Sequence, residues 1–185
     1  MQAIIFDCFG VLTTGYWHEF VSTMPASVRP ALADLNKAYD TGHLTELEYI
    51  TEVEAVCGTR PNLVESGSGT AIKNIVMLDY IGELKPTYKI GLLSNIATNW
   101  ITEKFLSPAE QQLFDAMMYS HTVGLVKPDP QVFKRMADEL GVAPQDCLMV
   151  DDLEANCDGA RAAGMQTVHY ISFNQAKAAI NMLLT

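Results

Sequence analysis

The sequence predicts an α/β fold: a parallel sheet with helices on both faces and a small helical segment inserted after the first strand. Three observations carry this expectation. Five short runs, at residues 3–6, 90–93, 116–119, 147–150 and 167–170, are apolar enough to read as buried strands of a parallel sheet. Helical patterns separate the later runs, the rhythm expected when helices cross over between strands. The stretch from about residue 16 to about residue 63 breaks that rhythm, with helical spacing and no convincing strand.

The first run, Ala3-Ile4-Ile5-Phe6, ends in Asp7, and Gly10 supplies the turn that aims the chain away. In the inserted segment, a helical pattern over residues 31–39 is followed by the turn Asp40-Thr41-Gly42-His43. Thr45-Glu46-Leu47-Glu48 then forms a capping box, with Leu47, Ile50, Val53 and Val56 at helical spacing. An insertion at this point stands above the carboxyl ends of the strands, where open α/β sheets bind ligands, so it reads as a lid. Tyr16 and His18 are candidates to line the pocket mouth, and His18 is also a candidate for proton transfer. Trp17 and Phe20 read as packing between lid and sheet, while Arg29 and Tyr39 could reach a substrate from the lid. Residues 65–69 read as a linker into an apolar helix over 72–84. Ser107-Pro108-Ala109-Glu110 is a second capping box. Asp129, followed by Pro130, caps a helix whose apolar face is Val132, Phe133, Met136, Ala137 and Leu140. Ala176, Ala179, Ile180, Leu183 and Leu184 form a stripe on a closing helix.

Composition narrows the class. A chain of 185 residues, 49% hydrophobic, is long enough for one core with a small appendage. A net charge of -10 argues against a nucleic-acid partner, whose phosphates attract basic faces, but not against a small phosphate ester bound at a local positive site. No apolar stretch approaches membrane-spanning length, and no basic leader precedes Asp7, so a cytoplasmic protein is expected. Cys8, Cys57, Cys147 and Cys157 show no paired spacing and read as free thiols. A monomer or a homodimer is compatible with all of this.

Four strand ends carry polar groups. Asp7 follows the first run, Ser94 and Asn95 the second, Asp151 and Asp152 the fourth, and Lys127 lies in the loop after the third. In a parallel sheet these groups meet at one edge. Three carboxylates in one place require a cation to stay ionised, and Mg²⁺, a hard ion that takes oxygen ligands and keeps waters, suits them. Lys127 adds a point charge and Ser94 a hydroxyl donor, a set suited to a phosphoryl group beside a carboxylate nucleophile. Taken singly, each has a plainer reading: Asp151 and Asp152 as helix caps, Ser94-Asn95 as a turn, Lys127 as a solvated cation.

Four motifs together resemble the haloacid dehalogenase-like (HAD) superfamily over nearly the whole chain. They are Phe6-Asp7-Cys8-Phe9-Gly10-Val11-Leu12, Leu92-Leu93-Ser94-Asn95, Lys127-Pro128, and Val150-Asp151-Asp152-Leu153-Glu154-Ala155-Asn156. The resemblance implies a Rossmann-like core over residues 1–14 and 68–185 and a helical cap over 15–67. It also implies Mg²⁺-dependent hydrolysis of a small phosphorylated substrate. On that pattern Asp7 would be the nucleophile and a metal ligand, and Ser94 and the Asn95 backbone would bind phosphate. Lys127 would bridge nucleophile and phosphate, and Asp151 would ligate the metal. Asp152 would stand outside the direct ligands, and Asn156 would brace the loop. Phe9 is the departure, because most phosphatases of the family carry there a second Asp that protonates the leaving group and activates water. Its backbone carbonyl can still ligate the metal. Two other outcomes of the same pattern are a metal-independent 2-haloacid dehalogenase and a catalytically impaired ligand- or partner-binding protein.

Overall fold

The apolar runs assemble into one sheet of five strands, in a computed structural model that describes residues 1–13, 16–60 and 71–184, with backbone only at residues 16–19. The strands are β1 (Ala3–Phe6), β2 (Lys89–Ser94), β3 (Ala116–Tyr119), β4 (Cys147–Asp151) and β5 (Gln166–His169). They pair in the order β3-β2-β1-β4-β5, every pair parallel, as the sequence predicts. The chain leaves β1 towards β2 and β3, then returns to the other side of β1 for β4 and β5. The reversal puts a crevice at the carboxyl end of β1, the position where such sheets bind ligands. Register sharpens this: Phe6 lies opposite both Leu92 and Val150, so Asp7, Ser94 and Asp151 emerge at one edge.

Both faces of the sheet are covered, so successive strand residues enter different cores. Ile4, Phe6, Ile90, Leu92, Leu148 and Val150 belong to one apolar cluster, and Ala3, Ile5, Leu93, Cys147 and Met149 to the other. Between β1 and β2 come α1 (Tyr16–Thr23), α2 (Arg29–Asp40), α3 (Glu46–Cys57) and α4 (Ile75–Leu84). The short helices α5 (Pro108–Gln111) and α6 (Ser120–Val123) flank β3, and α7 (Pro130–Leu140), α8 (Glu154–Ala162) and α9 (Phe173–Leu184) complete the chain. Helices α4 and α9 line the first cluster, α7 and α8 the second. The helices α1 to α3 have a small core of their own, Phe20, Leu32, Tyr49 and Val53, with the Tyr39 and Tyr49 rings stacked at 4.4 Å. Among the described residues, Phe20 thus belongs to the core of the cap.

The expected caps are present at Thr45, Ser107 and Asp129. Several boundaries differ. The helix expected over 72–84 begins at Ile75, because residues 71–74 are drawn against the loop after β1. Thr13 bridges to Lys73, the Asn74 N–H donates to the Leu12 carbonyl at 2.8 Å, and its side-chain amide donates to the Val11 carbonyl at 2.8 Å. On α3 the buried face runs through Tyr49 and Val53, one helical turn apart, and Leu47 is exposed. Leu183 likewise lies outside the buried stripe of α9, whose buried residues are Ala176 and Ile180. Strand β2 is one residue longer at each end than expected and β5 begins one residue earlier. The linker expected at 65–69 and both expected cap boundaries lie outside the described residues. No described helix is long and apolar enough to cross a membrane. All four cysteines are free.

Candidate active site

Asp7 is held at the end of β1 by its backbone N–H, which continues the ladder to the Val150 carbonyl at 3.0 Å. The chain then turns at once. Leu12 and Thr13 donate to the Cys8 carbonyl at 2.8 and 3.0 Å, and Gly10 adopts a positive φ of 86°. A side chain at Gly10 would also meet the Asp152 carboxylate, so this turn lies directly against the β4 loop. Lys127 reaches in from the loop before α7. Its ammonium donates to Asp7 Oδ1 at 2.8 Å and to Asp151 Oδ2 at 2.7 Å, all three groups being buried. Asp151 Oδ1 accepts from the Leu153 N–H at 3.0 Å and from Asn156 Nδ2 at 2.9 Å, so Asn156 braces this loop as expected.

Asp7, Asp151 and Asp152 each present a carboxylate oxygen within 4.8 Å of the others. Facing one ammonium, three carboxylates leave two negative charges, which a divalent cation would balance. Burial pushes the Asp7 carboxyl up, Lys127 pulls it back, and Asp151 and Asp152 push it up again, the net direction being upward. Burial alone would pull the Lys127 ammonium down, but Asp151 and Asp7 hold it above its ordinary value. A cation among these oxygens would offset that effect, and an all-oxygen donor set fits Mg²⁺. Ser94 is fully buried at the end of β2, and its Oγ has no hydrogen-bond partner among the described residues. A buried hydroxyl left unpaired costs about 1–3 kcal/mol, so it points to a ligand atom.

The structure gathers Asp7, Ser94, Asn95, Lys127, Asp151 and Asp152 at one edge. It assigns Asn95 a job the sequence did not suggest: its side chain clasps the Lys127 backbone, Nδ2 to the Lys127 carbonyl and Lys127 N–H to Oδ1, both at 2.9 Å. Gly159 of α8 makes the same loop possible, since a Cβ there would sit 2.1 Å from the Pro128 carbonyl oxygen. Phe9 is half-buried and its ring stacks on Trp100 at 5.8 Å, which stacks in turn on Phe105 at 5.0 Å. The phenyl group therefore belongs to an aromatic ladder, a role with no signal in the motif alone. The Tyr16 and His18 side chains lie outside the described residues. Arg29 donates to the Met24 and Ser22 carbonyls at 2.9 Å each, and the Tyr39 ring stacks on Tyr49. His43 bonds Thr41, and His121 bonds the Ile96 carbonyl.

A family profile described as haloacid dehalogenase-like hydrolase matches residues 1–164. The chain belongs to this family of hydrolases. It is similar to a phosphatase of Mycobacterium tuberculosis, 27% identical over 90% of this chain and 85% of that protein. It is also similar to the D-ribitol-5-phosphate phosphatase of Bacteroides thetaiotaomicron, 27% identical over 90% of each chain. Among solved structures, a HAD-family enzyme of Bacteroides thetaiotaomicron in complex with magnesium and inorganic phosphate superposes with a TM-score of 0.68. That match is 18% identical and covers 94% of this chain and 96% of the other, so it speaks for the fold alone.

Proposed function

We propose that this protein is a Mg²⁺-dependent phosphatase of small phosphorylated metabolites that works through an aspartyl phosphate on Asp7. The observation that carries the reading is the unpartnered Ser94 hydroxyl at the same edge as Asp7 and its Lys127 partner. An anionic phosphoryl oxygen would satisfy that hydroxyl, and the Lys127 charge would neutralise it. The Asp7 carboxylate attacks phosphorus, the ester oxygen leaves, and water then cleaves the acyl phosphate, splitting one hard step into two. Asn95 keeps Lys127 in place through both steps. Asp7, Asp151 and the Phe9 backbone carbonyl would hold Mg²⁺, with Asp152 outside the direct ligands. Bound there, the ion supplies charge neutralisation for the phosphoryl group. The phosphatase relatives support the substrate class.

The test is phosphate release from a panel of phosphorylated metabolites with and without chelator, with intact mass measured after acid quench. Chelator-sensitive release with a phosphorylated chain that disappears in Asp7→Asn is expected. Halide release from 2-haloacids in chelator would identify the metal-independent dehalogenase instead, a reading the aromatic Phe9 favours and the Asp152 carboxylate beside Asp7 and Asp151 opposes. Phosphate binding without any turnover would identify a ligand-binding descendant.

A further inference from the structure

Among the described residues, nearly every buried polar or charged side chain belongs to the strand-end edge or the loops beside it. Asp40 does not: it lies in the cap, at the last position of α2. A carboxylate there runs against the helix dipole, whose C-terminal end is negative, and its burial adds to the cost. Something other than helix stability keeps it. Its position follows from a chain of short bonds. The Asp40 carbonyl accepts from Ser120 Oγ at 2.6 Å, and the same hydroxyl accepts from the Ile96 N–H at 2.9 Å. Ile96 is the neighbour of Asn95, which clasps Lys127, which touches Asp7. The end of α2 is therefore pinned to the loop after β2, two residues beyond Ser94, and the Asp40 carboxyl lies within reach of the Lys127 charge. Asp40 Oδ2 accepts from Asn36 Nδ2 at 2.8 Å, and Asn36 Oδ1 accepts from the Tyr49 hydroxyl at 3.0 Å, which fixes the carboxyl's orientation.

We propose that Asp40 is the proton donor and acceptor of the reaction, supplied by the cap in place of the side chain missing at Phe9. The inference rests on the phosphatase reading above. In the first step Asp7 bonds to phosphorus, the bond from phosphorus to the ester oxygen breaks, and the Asp40 carboxyl gives that oxygen its proton. In the second step the Asp40 carboxylate takes a proton from water as its oxygen attacks the acyl phosphate. Inorganic phosphate leaves, and both carboxyls return to their starting states. The acid–base behaviour agrees. Burial pushes the Asp40 carboxyl up, the Asn36 hydrogen bond and the Lys127 charge pull it back, and it comes to about 7, close to ideal for a group that must both give and take a proton. The titratable groups that act on it through space are Lys127 from the core and the Tyr39 and Tyr49 phenols of α2 and α3.

The experiment compares wild type, Asp40→Asn and Asp7→Asn on glycerol phosphate, whose leaving group needs a proton, and p-nitrophenyl phosphate, whose leaving group does not. For Asp40→Asn, kcat/KM on glycerol phosphate should fall by about 10²-fold or more. On p-nitrophenyl phosphate kcat/KM should hold while kcat falls and phosphorylated chain accumulates, because only the water step then lacks its base. An equal loss on both esters, or no accumulation, overturns the role and leaves Asp40 as a structural cap residue. Should Asp40→Asn fail to fold, the wild-type pH profile decides: kcat/KM must decline above about pH 7 for glycerol phosphate and not for p-nitrophenyl phosphate. Asp7→Asn separates the two claims. Activity retained there overturns the aspartyl-phosphate reading itself, whatever Asp40 does.

Discussion

The strand-end edge and the cap bury carboxylates in opposite ways. At the edge, Asp7 and Asp151 meet one ammonium at contact distance, and Asp151 is also bonded by a backbone N–H and an amide. In the cap, Asp40 has an amide for company and the Lys127 charge acts only through space. The first arrangement gathers three carboxylates round one ammonium, which leaves the Asp7 carboxyl raised in the absence of a cation and suits metal binding. The second leaves a carboxyl near neutrality, able to change protonation within a cycle. The difference teaches that burial raises a carboxyl in both places, but at the sheet edge Asp7 shares its proton with an ammonium and two further carboxylates, whereas in the helical appendage Asp40 is raised on its own.

The comparison breaks most visibly at Asp7, the proposed nucleophile. Removing an enzyme's nucleophile costs on the order of 10⁶ in kcat, so Asp7→Asn should abolish metal-dependent phosphate release in a sensitive phosphate assay. Phe9→Asp tests whether the cap has replaced the usual acid. General acid–base help is worth about 10²–10⁴-fold, and Phe9→Asp should restore glycerol phosphate turnover in an Asp40→Asn background more than it improves the wild type. The same change gives up the ring stack on Trp100, worth about 0.5–1.5 kcal/mol, read as a lower denaturant midpoint.

Lys127→Met attacks the edge itself. Breaking a buried ion pair by removing one partner costs about 3–5 kcal/mol, measured by urea unfolding without Mg²⁺, and added Mg²⁺ should return part of it. The smallest effect is a pH dependence. Asp40 has its carboxyl raised from 3.8 to about 7 in the fold, so the folded state binds that proton more tightly than the unfolded chain. Its contribution to stability is full below about pH 4 and is lost as pH rises through about 7. Unfolding curves of wild type and Asp40→Asn should therefore diverge across that window, with wild type losing stability relative to the variant as pH rises.

Much of the edge is legible in the sequence because each polar residue directly follows an apolar run or lies in the loop beyond it. Asp7, Ser94, Asp151 and Lys127 need only the assumption of a parallel sheet to meet. Asp40 is harder. It ends a helix in sequence, and the contact that gives it meaning is made with Ser120, eighty positions away. The signal available was a carboxylate in the last turn of a helix, where the dipole disfavours it. The Asn95 side chain was hidden for the same reason, since its partner is the backbone of a distant loop. Helical spacing in α3 misled because periodicity finds a face without saying which way it points: Leu47 lies on the exposed side and Tyr49 on the buried one.

By itself the sequence determined the sheet, the order of its elements and the chemistry at the strand ends, because burial on both faces and a polar residue after each apolar run are local properties of a chain. Tertiary structure alone decided that Lys127 sits between Asp7 and Asp151, that the Phe9 ring is taken up by Trp100, and that the end of α2 is bonded to Ser120 beside the strand ends. Those facts depend on distances between residues far apart in sequence, and it is distance and burial that set the charge state of a carboxyl group.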